Sequence, residues 1–181
     1  MKVKDQNKLQ KKIEKLDSKN NKLTKFKNPK SKFMDSYTFQ HDVKTFCVTA
    51  SSFPDGIEEA HTTLHAQLPP NERRSFYGIS YNLADGTTIY KAAAEVMEDD
   101  GAIELELFII KNGPYNSFYI SDYRKHTDSI SQAFELLLQQ HEVDPEGYCL
   151  EWYINNNDVK CMVPLGINYQ PFTGLNREYN E

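Results

Sequence analysis

The 181-residue chain reads as one order of elements, strand–helix–strand–strand, written twice, and that repeat restricts the fold more than any other feature of the sequence. In the first pass Thr45-Phe46-Cys47-Val48-Thr49 has the β-branched and aromatic content of a strand. Phe53-Pro54-Asp55-Gly56 then makes a turn, with Asp55 placed to cap the helix that follows. Ile57, Ala60, Leu64 and Leu68 recur at helical spacing until Pro69-Pro70 ends the run. Strands over 76–82 and 88–96 come next, joined across Ala84-Asp85-Gly86. The second pass has a strand over 104–110, the turn Asn112-Gly113-Pro114 and a strand over 115–120. Thr127 or Asp128 opens a helix whose Ile130, Ala133, Phe134, Leu137 and Leu138 share one side. Asp144-Pro145-Glu146-Gly147 breaks it, and a hairpin of 148–154 with 159–165 closes across Asn155-Asn156-Asn157-Asp158. The expected fold is α+β, an antiparallel sheet in two similar halves with the helices on one side of it.

The last hairpin carries the residue of most chemical interest. Leu150, Trp152 and Ile154 alternate with Cys149, Glu151 and Tyr153, so the first three form the natural core face. Glu151 is then an acid among aromatic and soft neighbours, on a face that is neither plainly core nor plainly solvent. Apolar matching sets Ile154 opposite Val159, Trp152 opposite Cys161 and Leu150 opposite Val163. In that register Glu151 faces Met162, Tyr153 faces Lys160, and Cys149 and Cys161 point to opposite faces. Glu151 is open to two readings here, a surface carboxylate paired with Lys160 or the polar centre of a binding cleft.

Charge is unevenly spread. Residues 1–32 hold twelve lysines against three acids, a net of +9; with the chain at −5, residues 33–181 carry −14. A body that acidic repels phosphates, which argues against strong nucleic-acid binding by it. Leu9, Ile13, Leu16 and Leu23 have helix-like spacing, but Ser18, Asn20 and Asn21 interrupt it. Residues 1–36 therefore read as a basic extension, flexible or marginally helical, before a domain over 43–166 and a tail over 167–181. No apolar run approaches ~20 residues, so no membrane span is expected. Three irregularly spaced cysteines argue against a disulfide framework and suggest the cytoplasm.

Several short motifs resemble the GyrI-like small-molecule-binding superfamily, which includes the effector-binding domains of Rob and BmrR type regulators and stand-alone forms. They are Phe53-Pro54-Asp55-Gly56-Ile57, Tyr77-Gly78-Ile79-Ser80, Thr88-Ile89-Tyr90-Lys91-Ala92, Gly113-Pro114-Tyr115, the helix with Ala133-Phe134-Leu137-Leu138, Glu151-Trp152-Tyr153 and Met162-Val163-Pro164-Leu165. Together they span about residues 43–166. The resemblance implies two modules related by pseudo-twofold symmetry, with a concave groove for lipophilic or cationic molecules and Glu151 at its polar centre. It also implies that some stand-alone relatives hydrolyse strained esters. The chain has no recognisable helix-turn-helix segment, unlike the regulators.

The expected ligand site is thus Glu151 for charge, Tyr153, Tyr90, Tyr119 and Tyr77 for ring faces, and Met162 as an adaptable wall. Ala92 and Ala94 lie on the side of Tyr90, where small residues leave volume for a cavity. The alternatives are a small hydrolase opening an ester or lactone with Glu151 as acid/base, and an acidic inhibitor that mimics nucleic acid towards a basic protein partner. No metal or organic cofactor is implied. His61 and His65, four apart on the first helix, read as a solvated face, since Thr62 follows the first where a metalloprotease has Glu.

Overall fold

A computed structural model describes residues 34–126 and 128–166 of the chain. The extension as far as residue 33, Thr127 and the tail over 167–181 lie outside the described residues. The elements in order are β1 (Met34–Phe39), β2 (Val43–Thr49), α1 (Ile57–Gln67), β3 (Phe76–Asn82), β4 (Thr88–Glu95), β5 (Glu106–Ile110), β6 (Gly113–Ile120), α2 (Ser129–Leu137), β7 (Cys149–Tyr153) and β8 (Val159–Pro164). The fold is α+β, with strand–helix–strand–strand occurring twice, as β2-α1-β3-β4 and β6-α2-β7-β8. One strand was not anticipated. β1 falls across the boundary assigned to the extension, and it is held through Tyr37 and Phe39, whose rings meet Trp152 and Tyr115.

The strands form one antiparallel sheet in the order β1-β6-β8-β7-β3-β4-β2-β5. Outward from the central pair β7/β3 the two flanks mirror each other, which places a pseudo-twofold axis between those strands. Each half is preceded by a strand that pairs with the other half: β1 joins β6, and β5 joins β2. This exchange forces the sheet to curl. In a flat sheet β1 and β2, six places apart, would stand ~29 Å from each other at ~4.8 Å per strand. Only Gln40, His41 and Asp42 join them, a link that reaches about 14 Å at full stretch. Lys111 and Asn112 impose the same demand between β5 and β6. The two links also touch, since Asp42 accepts the Asn112 N–H at 2.8 Å and the Lys111 ammonium at 3.2 Å. Gly113, at φ 124°, starts β6 in a conformation that suits a residue without a β-carbon.

The two faces of the curled sheet have different cores. The inner face gathers Phe39, Cys47, Tyr77, Ile79, Ala93, Ile110, Tyr115, Leu150 and Met162 from all eight strands. On the other face α1 packs over β4 and β2, and α2 over β8 and β6. Ala60, Leu64 and Leu68 meet Phe46, Ala92 and Ala94 under α1. Ala133 and Leu137 meet Phe118, Ile120, Val159, Cys161 and Val163 under α2. α1 is capped by Gly56, and Asp55 makes no capping bond. Leu68 leaves the helix in extended conformation, as a residue before proline must. Leu138, the C-cap of α2, lies outside the buried stripe and is 55% exposed.

The hairpin β7–β8 differs from its expected register by one residue. Leu150 pairs with Met162, Glu151 with Cys161, Trp152 with Lys160 and Tyr153 with Val159. Apolar matching could not separate the two registers because both faces are buried, one inside the curl and one under α2. The turn decides instead. Asn155 Oδ1 accepts the N–H groups of Asn157 and Asp158, and the Ile154 N–H bonds to the Asp158 carbonyl at 3.0 Å. Ile154 is thereby drawn out of the strand, and Cys149, Glu151 and Cys161 share the helix-bearing face.

Candidate functional site

Glu151 stands opposite Gly78 at the middle of the β3–β7 ladder, where the two halves meet. Helices cover the flanks, so the central strands form the floor of a strip between α1 and α2. Along that floor the cross-strand pairs are Phe76–Tyr153, Gly78–Glu151 and Ser80–Cys149. Glu151 therefore lies on the helix-bearing face and is only 8% exposed.

Its Oε2 accepts a short hydrogen bond from Tyr153 Oη and a longer one from Tyr90 Oη at 3.4 Å. The two phenols lie 3.1 Å apart, and His61 Nε2 is 3.1 Å from Tyr90 Oη. Gly78 makes this convergence possible. A β-carbon there would lie 2.1 Å from Tyr90 Oη and 3.0 Å from Glu151 Oε2, so any side chain would displace the phenol. Rings surround the cluster: Phe53 stacks on Tyr90 at 6.1 Å, His61 meets Tyr153 edge-on at 5.3 Å, and Tyr123 lies 5.9 Å from Tyr153.

The electrostatics follow from burial. Removal from water pushes the Glu151 carboxyl above its ordinary range, and the bonds from Tyr153 and Tyr90 offset part of that. Among the described residues no lysine or arginine pairs with it. Burial drives the Tyr90 and Tyr153 phenols up, and the nearby Glu151 charge adds to both shifts. Burial also lowers His61 to about 4, so the imidazole is neutral at pH 7 and both ring-nitrogen roles are open to it. With His61 Nε2 donating to Tyr90, and both phenols donating to Glu151, every proton of the cluster converges on the carboxylate.

The expected site residues divide. Glu151, Tyr153 and Tyr90 come together. Tyr77, 2% exposed, and Met162, fully buried, belong to the inner core, on the opposite face from Glu151. Tyr119 is exposed and donates to Asp158 Oδ2 at 2.7 Å. The one-residue register change moves Met162 away from Glu151, and the odd–even alternation of β3 and β6 moves the two tyrosines. Lys160 does not pair with Glu151, since its ammonium lies over Tyr37 at 4.8 Å and Trp152 at 5.9 Å on the inner face. The volume beside Ala92 and Ala94 is filled by α1.

His61 is not on a solvated face but packs against Tyr90 and Tyr153. Its position four residues after Ile57 and three before Leu64 sets it on the buried stripe, which is the signal that marks it. Phe53 and Tyr123 are also unforeseen contributors, because a turn and a short 3-10 helix outside the main elements bring them to the cluster. Cys149 lies beside Glu151 on the strip, and burial with the Glu151 charge pushes its thiol up to about 11, which suppresses a nucleophilic thiolate. All three cysteines are free. Among the described residues no cluster of His, Cys, Asp or Glu could hold a metal ion.

A pocket of about 720 Å³ opens at the Ser80–Cys149 end of the strip. No helix among the described residues is long and apolar enough to cross a membrane.

No protein-family model and no curated protein matches the sequence. Among solved structures, the chain is similar to the integron cassette protein VCH_CASS2 from the mobile metagenome of Vibrio cholerae, with a TM-score of 0.56 and 14% identity over 75% of this chain and 97% of that one. A hydrolase from Listeria innocua gives a TM-score of 0.48 and 12% identity over 80% of this chain and 97% of that one. The regulator EcmrR, in a complex with DNA, gives 0.46 and 12% over 90% of this chain and 69% of that one. The first of these establishes a shared fold, and the other two add nothing to it. An eight-stranded curled sheet with a helix over each half is thus a fold that this chain shares with an integron cassette protein.

Proposed function

We propose that this protein is a cytoplasmic small-molecule-binding domain of the GyrI-like, effector-sensing type, which takes lipophilic cations in the strip between α1 and α2. The observation that carries the proposal is a buried carboxylate, ringed by Tyr90, Tyr153, His61 and Phe53, that no lysine or arginine among the described residues pairs with. A buried charge without a partner is costly, and an organic cation bound there relieves that cost. Ring faces around it add cation–π attraction of ~0.5–2 kcal/mol each. The test is calorimetric titration with tetraphenylphosphonium and a panel of cationic dyes. Wild type binds, and Glu151→Gln weakens binding roughly thirtyfold or more, as loss of a buried charge pair does. Equal affinity in both proteins would refute the electrostatic role.

One observation favours hydrolysis as the second reading. The chain His61–Tyr90–Glu151 is arranged to move a proton, and a carboxyl raised by burial is suited to act as acid or base. Glu151 would then take a proton from water as it attacks an ester or lactone carbonyl, with a phenol steadying the oxyanion. Steady product release that Glu151→Gln abolishes would select this reading over binding alone.

A further inference from the structure

The pocket at the Ser80–Cys149 end plays no part in holding a charged group at Glu151, yet it is the continuation of the same floor. Ser80 and Cys149 line it, and they form the next pair along from Gly78 and Glu151 on the same face, ~7 Å away along the strands. Its volume of about 720 Å³ falls within the ~300–1,000 Å³ usual for small-molecule sites. The walls are more apolar than polar, with Asn82, Thr88 and Gln140 as neutral polar members. Leu138 and Val143 come from the end of α2 and the segment after it, and Phe108 and Tyr148 reach round the end of the sheet from the inner face. Among the described residues, the charged ones on the lining are two carboxylates, Asp144 and Glu146. Leu138 turns a large apolar side chain to water there, at 55% exposure. Volume, apolar walls and acids alone together define what fits: a hydrocarbon body without negative charge, attached to something one strand-step away.

We propose that this pocket receives the apolar tail of an elongated amphiphilic cation whose head group lies at Glu151. The inference rests on the proposed role of Glu151 and deepens it, because it fixes the ligand class as a long-chain ammonium or similar amphiphile and gives its direction along the strip. The tail runs from Gly78–Glu151 over Ser80–Cys149 and ends beside Leu138 and Val143. A carboxylate at the far end of the tail would meet Asp144 and Glu146 and be rejected.

Calorimetric titration of the full chain with n-alkyltrimethylammonium ions, from tetramethyl to decyl and below their micelle concentrations, tests this. Affinity rises by about fourfold for each methylene that the pocket buries, and a terminal carboxylate on the chain cancels the gain. Leu138→Asn, at an exposed position, lowers the ratio of decyl to tetramethyl affinity. A second readout needs no variant. Cys149 is half-buried on the pocket floor while Cys47 and Cys161 are buried, so in alkaline buffer, where enough of its raised thiol ionises to react, the decyl ion slows maleimide labelling of Cys149 and the tetramethyl ion does so far less. Glu151-dependent binding that ignores chain length, or labelling that both ions affect equally, overturns the tail pocket and leaves the head-group site standing. Failure of every ion to bind overturns the Glu151 site and the tail pocket with it.

Discussion

A carboxylate buried to 8% exposure, with two phenols and no paired lysine or arginine among the described residues, holds its proton above the pH at which an unfolded chain releases it. Between those two values the native state carries a proton that the unfolded state has lost, so stability falls as pH rises through that window. His61 acts in the opposite sense. Its native value of about 4 lies below the ordinary 6.5, so between them the unfolded state binds the extra proton and stability falls as pH drops. Above the ordinary carboxyl value of 4.5 the Glu151 slope opposes the His61 slope, so chemical denaturation across pH should show a changed net slope in each variant. Glu151→Gln removes the loss as pH rises, His61→Gln removes the loss as pH drops, and each slope is at most ~1.4 kcal/mol per pH unit. Unchanged profiles in both variants would mean that neither group is desolvated. Glu151 was legible in the sequence because an acid at an alternating strand position among rings is anomalous. His61 was not, because a helical histidine shows its burial only once the stripe is assigned to a face.

The elements place these residues through packing as much as through hydrogen bonding. α1 rests on Ala92 and Ala94, both fully buried, and this close seat carries His61 to Tyr90. Ala92→Leu should overpack that seat, costing about 1–3 kcal/mol in urea denaturation, and weaken cation binding by moving His61 off the phenol. Full stability with the larger side chain would show that α1 is seated loosely. The positions of α1, β3 and β4 could be read closely from apolar spacing and from the breaks at Pro69-Pro70 and Asp85-Gly86. The register of β7 on β8 could not. Apolar residues on both faces made two alignments equally coherent, and the choice rests on side chains of the turn. Asp158 is the centre of that turn, taking Tyr119 Oη at 2.7 Å, Asn155 Nδ2 at 3.0 Å and the Asp122 N–H at 3.1 Å.

At the scale of the molecule, the exchange of β1 and β5 between halves ties two similar modules into one sheet, which predicts a single cooperative transition. Phe39, in the edge strand β1, is buried against Tyr37, Tyr115 and Trp152 and belongs to the inner cluster that includes Cys47 and Ile110 from the far flank. Phe39→Ala should cost about 3–5 kcal/mol, with Trp152 fluorescence and far-ultraviolet dichroism still reporting one transition. Two separated transitions would mean that the halves unfold independently. The sequence by itself determined the doubled order of strands and helices, because hydrophobic period and turn residues act over a few neighbours. It also marked Glu151 and Tyr153 as a pair on one face, since alternation in a strand needs no partner. Only the tertiary structure decided that the sheet curls, that Tyr77 and Met162 serve its interior, and that Tyr90, His61 and Phe53 converge on the acid. Those outcomes depend on two short links and one turn, which fix distances between residues far apart in the chain, and no local pattern encodes such distances.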